Sequence, residues 1–180
     1  MKRIGIFGAS ECGKTTLAKQ LSREYWRQEK RPTLALDPHK GSWGGHSWVT
    51  SREKDFWGEF NEETESWTGG AVWKRENCLV IVEEASTTIQ RDRQLVPLFT
   101  RIRHQHHHLM VIGHDGTDLL PTMRQNLNEL FLFLQPPRAV EIWSNDLPSI
   151  RGLEAAGELQ QYEFLHGKLF TTARRCRLKI

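Results

Sequence analysis

Short apolar runs alternate with amphipathic stretches over most of the chain. Three of these runs cover residues 4–7, 33–36 and 79–82, and each is rich in aliphatic side chains. Runs without polar alternation are typical of strands buried on both faces, and helices between such strands are typical of parallel sheets. Two further strands are predicted over residues 109–112 and 130–134. We therefore expect an α/β fold of three layers with a mostly parallel central sheet.

Amphipathic segments between the runs predict the crossover helices. Leu17 and Leu21 lie four residues apart, which places them on one face of a helix predicted over residues 14–28. Two more helices are predicted over residues 92–104 and 119–126.

The periodic pattern fails between residues 40 and 77. Tryptophans at the density of this segment could stack on DNA bases: Trp43, Trp48, Trp57, Trp67 and Trp73. Nearby carboxylates would repel phosphates, however, and these are Glu53, Asp55, Glu59, Glu62, Glu63 and Glu65. We interpret residues 40–77 as an insertion whose tryptophans pack in its core or form a surface for a partner protein.

Residues 138–180 form a predicted C-terminal extension. A strand is predicted over 139–143 and a helix over 149–159, followed by a β-hairpin with strands over 162–165 and 168–171. The hairpin would turn at His166 and Gly167. The basic tail that follows is a candidate for contact with an anionic partner and contains Arg174, Arg175, Arg177 and Lys179.

Length and composition restrict the possible classes of protein. The 180 residues fit a single domain and are too few for a two-domain helicase motor. The apolar runs are far shorter than the ~20 residues that cross a bilayer, and the amino terminus does not have the pattern of a signal peptide. We expect a cytoplasmic protein without a transmembrane segment. The net charge of +3 comes from residues 91–180, a weak indication of an anionic partner.

The three cysteines, Cys12, Cys78 and Cys176, are far apart in sequence and do not have the spacing of metal ligands. A disulfide framework or a zinc site is therefore not expected.

One segment matches the phosphate-binding pattern G-x-x-x-x-G-K-[ST] and lies between a predicted strand and a predicted helix. Its glycines allow successive backbone N–H groups to point at phosphates at a helix amino terminus. Lys14 would reach the β- and γ-phosphates, Thr15 would bind Mg²⁺, and Thr16 would contact the α-phosphate. The predicted nucleotide-binding residues are Gly8, Ala9, Ser10, Glu11, Cys12, Gly13, Lys14, Thr15 and Thr16.

Two carboxylates follow the most hydrophobic strand. Enzymes that use a phosphate-binding loop hold Mg²⁺ through an acid at the end of a neighbouring strand, and hydrolases of this type use a second acid for the attacking water. We assign Glu83 to the water shell of the metal and Glu84 to the attacking water. The pair favours hydrolysis over phosphoryl transfer to an acceptor.

The order of these motifs resembles the FtsK/HerA superfamily of nucleic-acid-pumping ATPases. Within it, the short chain is most similar to the genome-packaging ATPases of internal-membrane, double-jelly-roll viruses. Besides the loop, the resemblance rests on Asp37-Pro38, the acidic pair with Ala85, Arg103-His104 before a strand, and residues 120–126.

The resemblance implies a partly shared active site. Members of the superfamily form homo-oligomeric rings, here a pentamer or hexamer, that thread double-stranded DNA and act with capsid vertex proteins. An arginine from the neighbouring subunit completes each site, and Arg124 and Arg103 are the candidates by position. His114 occupies the position of the polar sensor at the end of the fourth strand, where the superfamily often has glutamine.

Other interpretations remain at this stage. Four histidines between residues 104 and 108 could bind metal, contact phosphate or a neighbouring subunit, or simply end a helix. The chain could also be a filamentous-phage assembly ATPase of the zonula-occludens-toxin type, a small-molecule kinase, or a nucleotide-binding regulator without turnover. No motif indicates a preference between ATP and GTP.

Overall fold

The computed structural model describes residues 1–64 and 66–178. The strands are β1 Arg3–Phe7, β2 Thr33–Leu36, β3 Ser47–Thr50, β4 Gly58–Asn61, β5 Ser66–Gly69, β6 Leu79–Val82, β7 His108–Gly113, β8 Glu129–Leu132, β9 Glu163–Lys168 and β10 Arg174–Arg177. The α-helices are α1 Lys14–Glu29, α2 Glu53–Trp57, α3 Ala71–Lys74, α4 Ala85–Thr88, α5 Val96–Thr100, α6 Pro121–Gln125 and α7 Pro137–Asp146. Three short 3₁₀ helices cover Arg93–Leu95, Ile102–Gln105 and Leu153–Glu158.

Eight strands form the central sheet in the order β10-β9-β8-β1-β7-β6-β2-β3. The six strands from β8 to β3 are parallel, whereas β9 pairs with β8 and β10 pairs with β9 in antiparallel orientation. The expected fold class is therefore confirmed: a mostly parallel sheet with a carboxy-terminal hairpin on one edge. The loops after β1, β6 and β7 all emerge at the carboxyl edge of the sheet, where ligands bind in open α/β folds.

Alternate side chains of the central strands enter two separate hydrophobic cores. Leu79 and Ile81 of β6 pack in the core that α1 covers, and Val80 and Val82 pack in the core covered by α4 to α7. Each of these four side chains is fully buried. Because neither face of the sheet meets water, the sequence of β6 shows no polar alternation. The sheet is the middle of three layers, with helices on both faces.

The predicted insertion contributes to this sheet. Its strand β3 pairs in parallel with β2 at the edge, and β4 and β5 form a separate hairpin. Trp43 and Trp57 are buried, and the other three tryptophans of the segment are partly buried against the same core as α4 to α7. These tryptophans therefore pack against the core, which is the first of the two roles expected for them. Glu65 lies outside the described residues.

The helix predicted over residues 92–104 is wrong as a single element. The structure divides it into the 3₁₀ turn Arg93–Leu95, α5 and the 3₁₀ turn Ile102–Gln105. Pro97 lacks a backbone N–H and stands in the first turn of α5, so a helix that enters from residue 92 cannot continue through it.

The strand predicted over 139–143 is also wrong, because this segment belongs to α7. Pro137 occupies the first turn, where its fixed φ favours a helix. Ala139 and Trp143 are buried four residues apart, which is a helical spacing.

Only part of the helix predicted over 149–159 forms, as the 3₁₀ helix Leu153–Glu158. The buried residues of this segment recur at intervals of three, and a 3₁₀ turn contains three residues. These residues are Ile150, Leu153, Ala156 and Leu159.

The carboxy-terminal hairpin is confirmed, but its predicted register is wrong. Residues 163–168 form one continuous strand that runs through His166 and Gly167, and the partner strand is β10 in the basic tail. Gly167 is needed for close packing: a Cβ there would lie 2.4 Å from Cγ2 of Ile150. The turn therefore moves to residues 169–173. Arg174, Arg175 and Arg177 are exposed on the edge strand, and Lys179 lies outside the described residues.

Within residues 1–64 and 66–178, none of the helices combines the length and apolar character needed to cross a membrane.

Candidate nucleotide-hydrolysing site

The phosphate-binding loop connects β1 to α1, as the sequence predicts. Gly8 has no room for a side chain, because a Cβ would lie 2.5 Å from Cβ of Phe133. Gly13 caps α1 with a φ of 105°, in the left-handed region that favours glycine. Its carbonyl accepts the hydrogen bond from the N–H of Leu17 that starts the helix. Cys12 is buried, whereas the exposed residues of the predicted set are Ala9, Ser10, Glu11 and Thr16.

Lys14 places a buried cation inside this loop. Its Nζ donates hydrogen bonds to the carbonyls of Gly8 and Ala9, at 2.9 and 2.8 Å. The helix amino terminus adds a partial positive charge at the same place. The loop therefore has the electrostatic character of a phosphate site.

Glu83 meets Thr15 across the end of the sheet. It continues the alternation that turns Leu79 and Ile81 towards α1, so its carboxylate points at the first turn of that helix. The Thr15 hydroxyl donates a hydrogen bond of 2.6 Å to Oε1 of Glu83. Burial raises the pKa of Glu83; the Thr15 hydrogen bond opposes this shift, and the nearby carboxylate of Asp37 adds to it.

Thr15 and Glu83 fit a divalent cation. Oε2 of Glu83 is buried and has no hydrogen-bond partner among the described residues, which is costly for a carboxylate oxygen. Hydroxyl and carboxylate oxygens are the ligands that Mg²⁺ takes, directly or through water. A cation would also counter the unfavourable burial of the negative charge.

Glu84 turns its carboxylate in a different direction. It has φ 54° and ψ 64°, a left-handed conformation that costs a non-glycine residue about 1–3 kcal/mol. Its carbonyl compensates in part by accepting hydrogen bonds from the N–H and the hydroxyl of Thr88. The Glu84 side chain is 30% exposed and therefore accessible to water.

His114 lies beside Glu84, at the end of β7. Its Nε2 is 3.5 Å from Oε2 of Glu84, so the structure brings together the predicted sensor and the predicted water-activating acid. Gln135, which we did not predict, donates a hydrogen bond of 3.2 Å from its side-chain amide to the backbone carbonyl of His114. The signal for Gln135 was a lone amide between an apolar run and two prolines.

Other acids surround this pair. Burial and the neighbouring Asp115 raise the pKa of Asp118, Glu84 raises it further, and His114 lowers it. His114 therefore provides the basic group within an acidic cluster, and it is well placed to orient the Glu84 carboxylate.

Asp37 anchors the loop after β2 and lies close to Glu83. Its carboxylate accepts hydrogen bonds from the N–H groups of His39 and Gly41, both at 2.8 Å, and from Nε1 of Trp43 at 3.0 Å. Asp37 is buried and is therefore an anchor for this loop.

The two candidate arginines differ in exposure. The guanidinium of Arg124 is buried, forms an ion pair with Asp146 and donates hydrogen bonds to the carbonyls of Gly116 and Leu119. Arg103 is exposed at the amino edge of the sheet, on the 3₁₀ turn before β7. Of the two, Arg103 is the side chain that a neighbouring molecule can reach.

The histidines of residues 104–108 do not converge on one point. His107 is buried, which lowers its pKa, and its Nε2 lies 2.9 Å from the carbonyl of Val72. Burial lowers the pKa of His108 to about 4 despite Glu29, whose carboxylate lies 3.2 Å away. In the described part of the chain, no group of three His, Cys, Asp or Glu side chains is arranged to hold a metal ion. The exposed members of the cluster are His104 and His106.

A cavity of about 300 Å³ opens beside the loop. Its lining includes Tyr162, which precedes β9 and is the one lining residue from outside the loop and α1. The sequence contains no local signal for Tyr162 at this site, because about 150 residues separate it from the loop. The other lining residues are Glu11, Gly13, Lys14, Thr15 and Thr16.

No protein-family model and no curated protein sequence matches this chain. Solved structures, in contrast, match it over its whole length. The genome packaging NTPase B204 from Sulfolobus turreted icosahedral virus 2, in complex with ATP-gammaS, is 15% identical with a TM-score of 0.71, over 99% of this chain and 98% of that chain.

Two further structures extend the comparison. The N-terminal domain of zonular occludens toxin from Neisseria meningitidis is 14% identical with a TM-score of 0.63, over 100% of this chain and 95% of that chain. The cytoplasmic domain of the Thermomonospora curvata type VII secretion ATPase EccC is 12% identical with a TM-score of 0.60, over 99% of this chain and 24% of that chain. The resemblance to FtsK/HerA-type P-loop ATPases is thus confirmed for the fold, which this chain shares with a viral genome packaging NTPase.

Proposed function

We propose that this protein is a Mg²⁺-dependent ATPase that drives double-stranded DNA into a preformed viral capsid. The observation that carries the proposal is the arrangement of two carboxylates beside the phosphate-binding loop. Glu83 contacts Thr15 on one side, and Glu84 lies beside His114 on the other. The shared fold with a genome packaging NTPase that was solved with ATP-gammaS supports both the nucleotide and the packaging role.

Each residue of the site has a distinct task in hydrolysis. The loop N–H groups and Lys14 bind the phosphates and neutralise their charge, while Thr15 and, through water, Glu83 would hold Mg²⁺. When bound, Mg²⁺ supplies positive charge at the phosphoryl oxygens. Water oxygen bonds to the γ-phosphorus as the bond to the bridging oxygen breaks, and Glu84 accepts the water proton. His114 orients the Glu84 carboxylate for this transfer.

The test is a steady-state assay of phosphate release with Glu84→Gln. We expect turnover to fall by ~10²–10⁴, because the amide cannot accept the proton, while ATP binding persists. Glu76→Gln is the matched control, since it makes the same change at an exposed site before the amino end of β6. Undiminished release by Glu84→Gln would contradict the assignment. Release without any acceptor would also argue against a small-molecule kinase, and an inert wild-type protein would favour a regulator.

The proposal includes a homo-oligomeric ring in which Arg103 of one subunit completes the site of the next. An arginine in trans contributes ~10³–10⁵ in rate where it has been measured in other NTPases, because it stabilises charge on the transferring phosphoryl group. We expect the rate per subunit to rise with protein concentration in the wild type and to stay low in Arg103→Ala. A flat wild-type curve would indicate a self-sufficient monomer.

A second candidate function is phage assembly and extrusion of the zonula-occludens-toxin type. The similarity to the zonular occludens toxin domain, over nearly the whole of both chains, favours it specifically. Stimulation of phosphate release by double-stranded DNA distinguishes the two, since the packaging proposal requires it. A packaging enzyme would act in the host cytoplasm with capsid vertex proteins as partners.

A further inference from the structure

We propose that the Tyr162 ring is the stacking platform for the nucleobase, so that the carboxy-terminal hairpin completes the nucleotide site. The inference rests on the proposed function, because it assumes that the loop binds the phosphates of a nucleotide. It adds the part of the site that recognises the base, for which the sequence has no legible motif.

The position of Tyr162 beside the loop is the first observation. A Cβ added to Gly13 would lie 3.5 Å from Cδ1 of Tyr162, which is van der Waals distance, and 2.6 Å from Cδ2 of Leu178. The ring and Leu178 therefore border the glycine that begins α1. Both side chains belong to the hairpin segment rather than to the loop.

The hairpin holds Tyr162 in this place. The residue has φ 64°, a left-handed conformation that tyrosine seldom adopts. Its carbonyl accepts a hydrogen bond of 2.8 Å from the N–H of Leu178, which ties the two ends of the hairpin together. Leu178 is itself buried against the core that α1 covers. The backbone of Tyr162 is thus held in place before any ligand binds, which lowers the entropic cost of positioning the ring.

The cavity has the right size and lining for the remainder of a nucleotide. Phosphates bind over the loop N–H groups, and Thr16 marks the α-phosphate end of that site. The base must then lie one ribose beyond Thr16, and the cavity that Thr16 lines is bordered by Tyr162. Its volume of about 300 Å³ is at the lower end of ligand pockets, enough for a base and ribose but not for a large substrate.

Tyr162 is partly buried beside the core that α1 covers, and it lines the cavity. Among residues 1–64 and 66–178, no aromatic side chain stacks on Tyr162. Stacking on an aromatic ring tolerates any base, because every base has a π-face. Tyr162 would therefore contribute to nucleotide affinity without discriminating between ATP and GTP.

Calorimetric titration with ADP and with inorganic pyrophosphate, both in Mg²⁺, tests the inference. ADP and pyrophosphate share the diphosphate but only ADP has a base, so pyrophosphate reports on the loop alone. Tyr162→Leu keeps an apolar contact with Gly13 and removes the ring, and we expect it to bind ADP about tenfold more weakly with unchanged pyrophosphate affinity. Tyr162→Phe should bind ADP as the wild type does, and GDP should show the same dependence.

Phe170→Leu is the matched control, because it removes a ring that is 84% exposed in the same hairpin. Equal weakening of ADP and pyrophosphate by Tyr162→Leu would make the ring a structural support of the loop and overturn the inference. Unchanged ADP affinity would overturn it as well. Failure of the wild type to bind either ligand would instead refute the nucleotide site itself, so the two proposals fail by different results.

Discussion

Glu83 on the proposed metal side of the site and Glu84 on the proposed water side are adjacent residues in opposite environments. On the metal side, Glu83 is 6% exposed, and the only described hydrogen bond to its carboxylate comes from Thr15. On the water side, Glu84 is 30% exposed and lies beside His114. One peptide bond separates a buried carboxylate with an unpartnered oxygen from an accessible carboxylate that can meet water.

The difference supports the two proposed roles of this short acidic sequence. Strand alternation directs Glu83 towards α1, and the left-handed backbone of Glu84 turns the next side chain out of that layer. Burial raises the pKa of Glu83 and makes its charge unfavourable unless a cation is near. The two acids are therefore not interchangeable, and three variants test this.

Glu83→Gln has the largest expected effect of the three. We expect turnover at fixed Mg²⁺ to fall about 10- to 100-fold, the usual loss when a group that orients a metal through its water shell is replaced. Raising the Mg²⁺ concentration should recover part of the rate, which a Mg²⁺ titration of phosphate release measures. Glu84→Gln should gain nothing from added Mg²⁺, and the same Mg²⁺ response in both variants would contradict the division of roles.

The same variant should change stability with pH. Because the pKa of Glu83 lies above its ordinary value of 4.5, the folded protein binds this proton more tightly than the unfolded chain does. Without metal, the contribution to the free energy of unfolding therefore declines as the pH rises from 4.5 through the folded-state pKa. Chemical unfolding in EDTA at several pH values should show this decline in the wild type and a shallower one in Glu83→Gln. Parallel curves would contradict it.

Local features of this site could be predicted from the sequence. The loop, Thr15 and the acidic pair are recognisable because each lies within a short segment whose spacing is fixed by the chemistry. Tyr162 could not be recognised, because it reaches the site through pairing of strands far apart in sequence, and the signal for Gln135 is only a lone amide before two prolines. No local pattern indicates which distant side chain a strand will carry to the loop.

The fold, like the site, has parts that the sequence predicts and parts that it does not. The central strands were predictable, because burial on both faces produces uninterrupted apolar runs. The extension over residues 138–180 was predictable only in part: the hairpin forms, but its register differs because Gly167 is required for packing against Ile150 rather than for a turn. In sequence, the exposed arginines of β10 look like those of a solvated tail. An edge strand pairs on one side only and can carry charged side chains, so its sequence lacks the apolar run of a central strand.

His114→Ala should have a smaller effect than Glu83→Gln and should act only on the water side. We expect turnover to fall about tenfold, because Glu84 loses the group 3.5 Å away that orients it, with ATP affinity unchanged. His114→Gln should recover part of the rate, since an amide can also donate a hydrogen bond. His104→Ala, at an exposed position, is the control. Faster turnover in His114→Ala would mean that the histidine restrains Glu84 instead.

Gln135→Met should have the smallest effect. The variant loses the 3.2 Å hydrogen bond to the carbonyl of His114, but it also removes Oε1, which is buried without a partner among the described residues. These effects oppose each other, so unfolding by urea should shift by less than about 1 kcal/mol. Turnover should fall less than in His114→Ala, because the histidine side chain itself remains beside Glu84. A loss as large as that of His114→Ala would move the sensor role to Gln135, whose buried amide would then act on the substrate directly rather than through the backbone of His114.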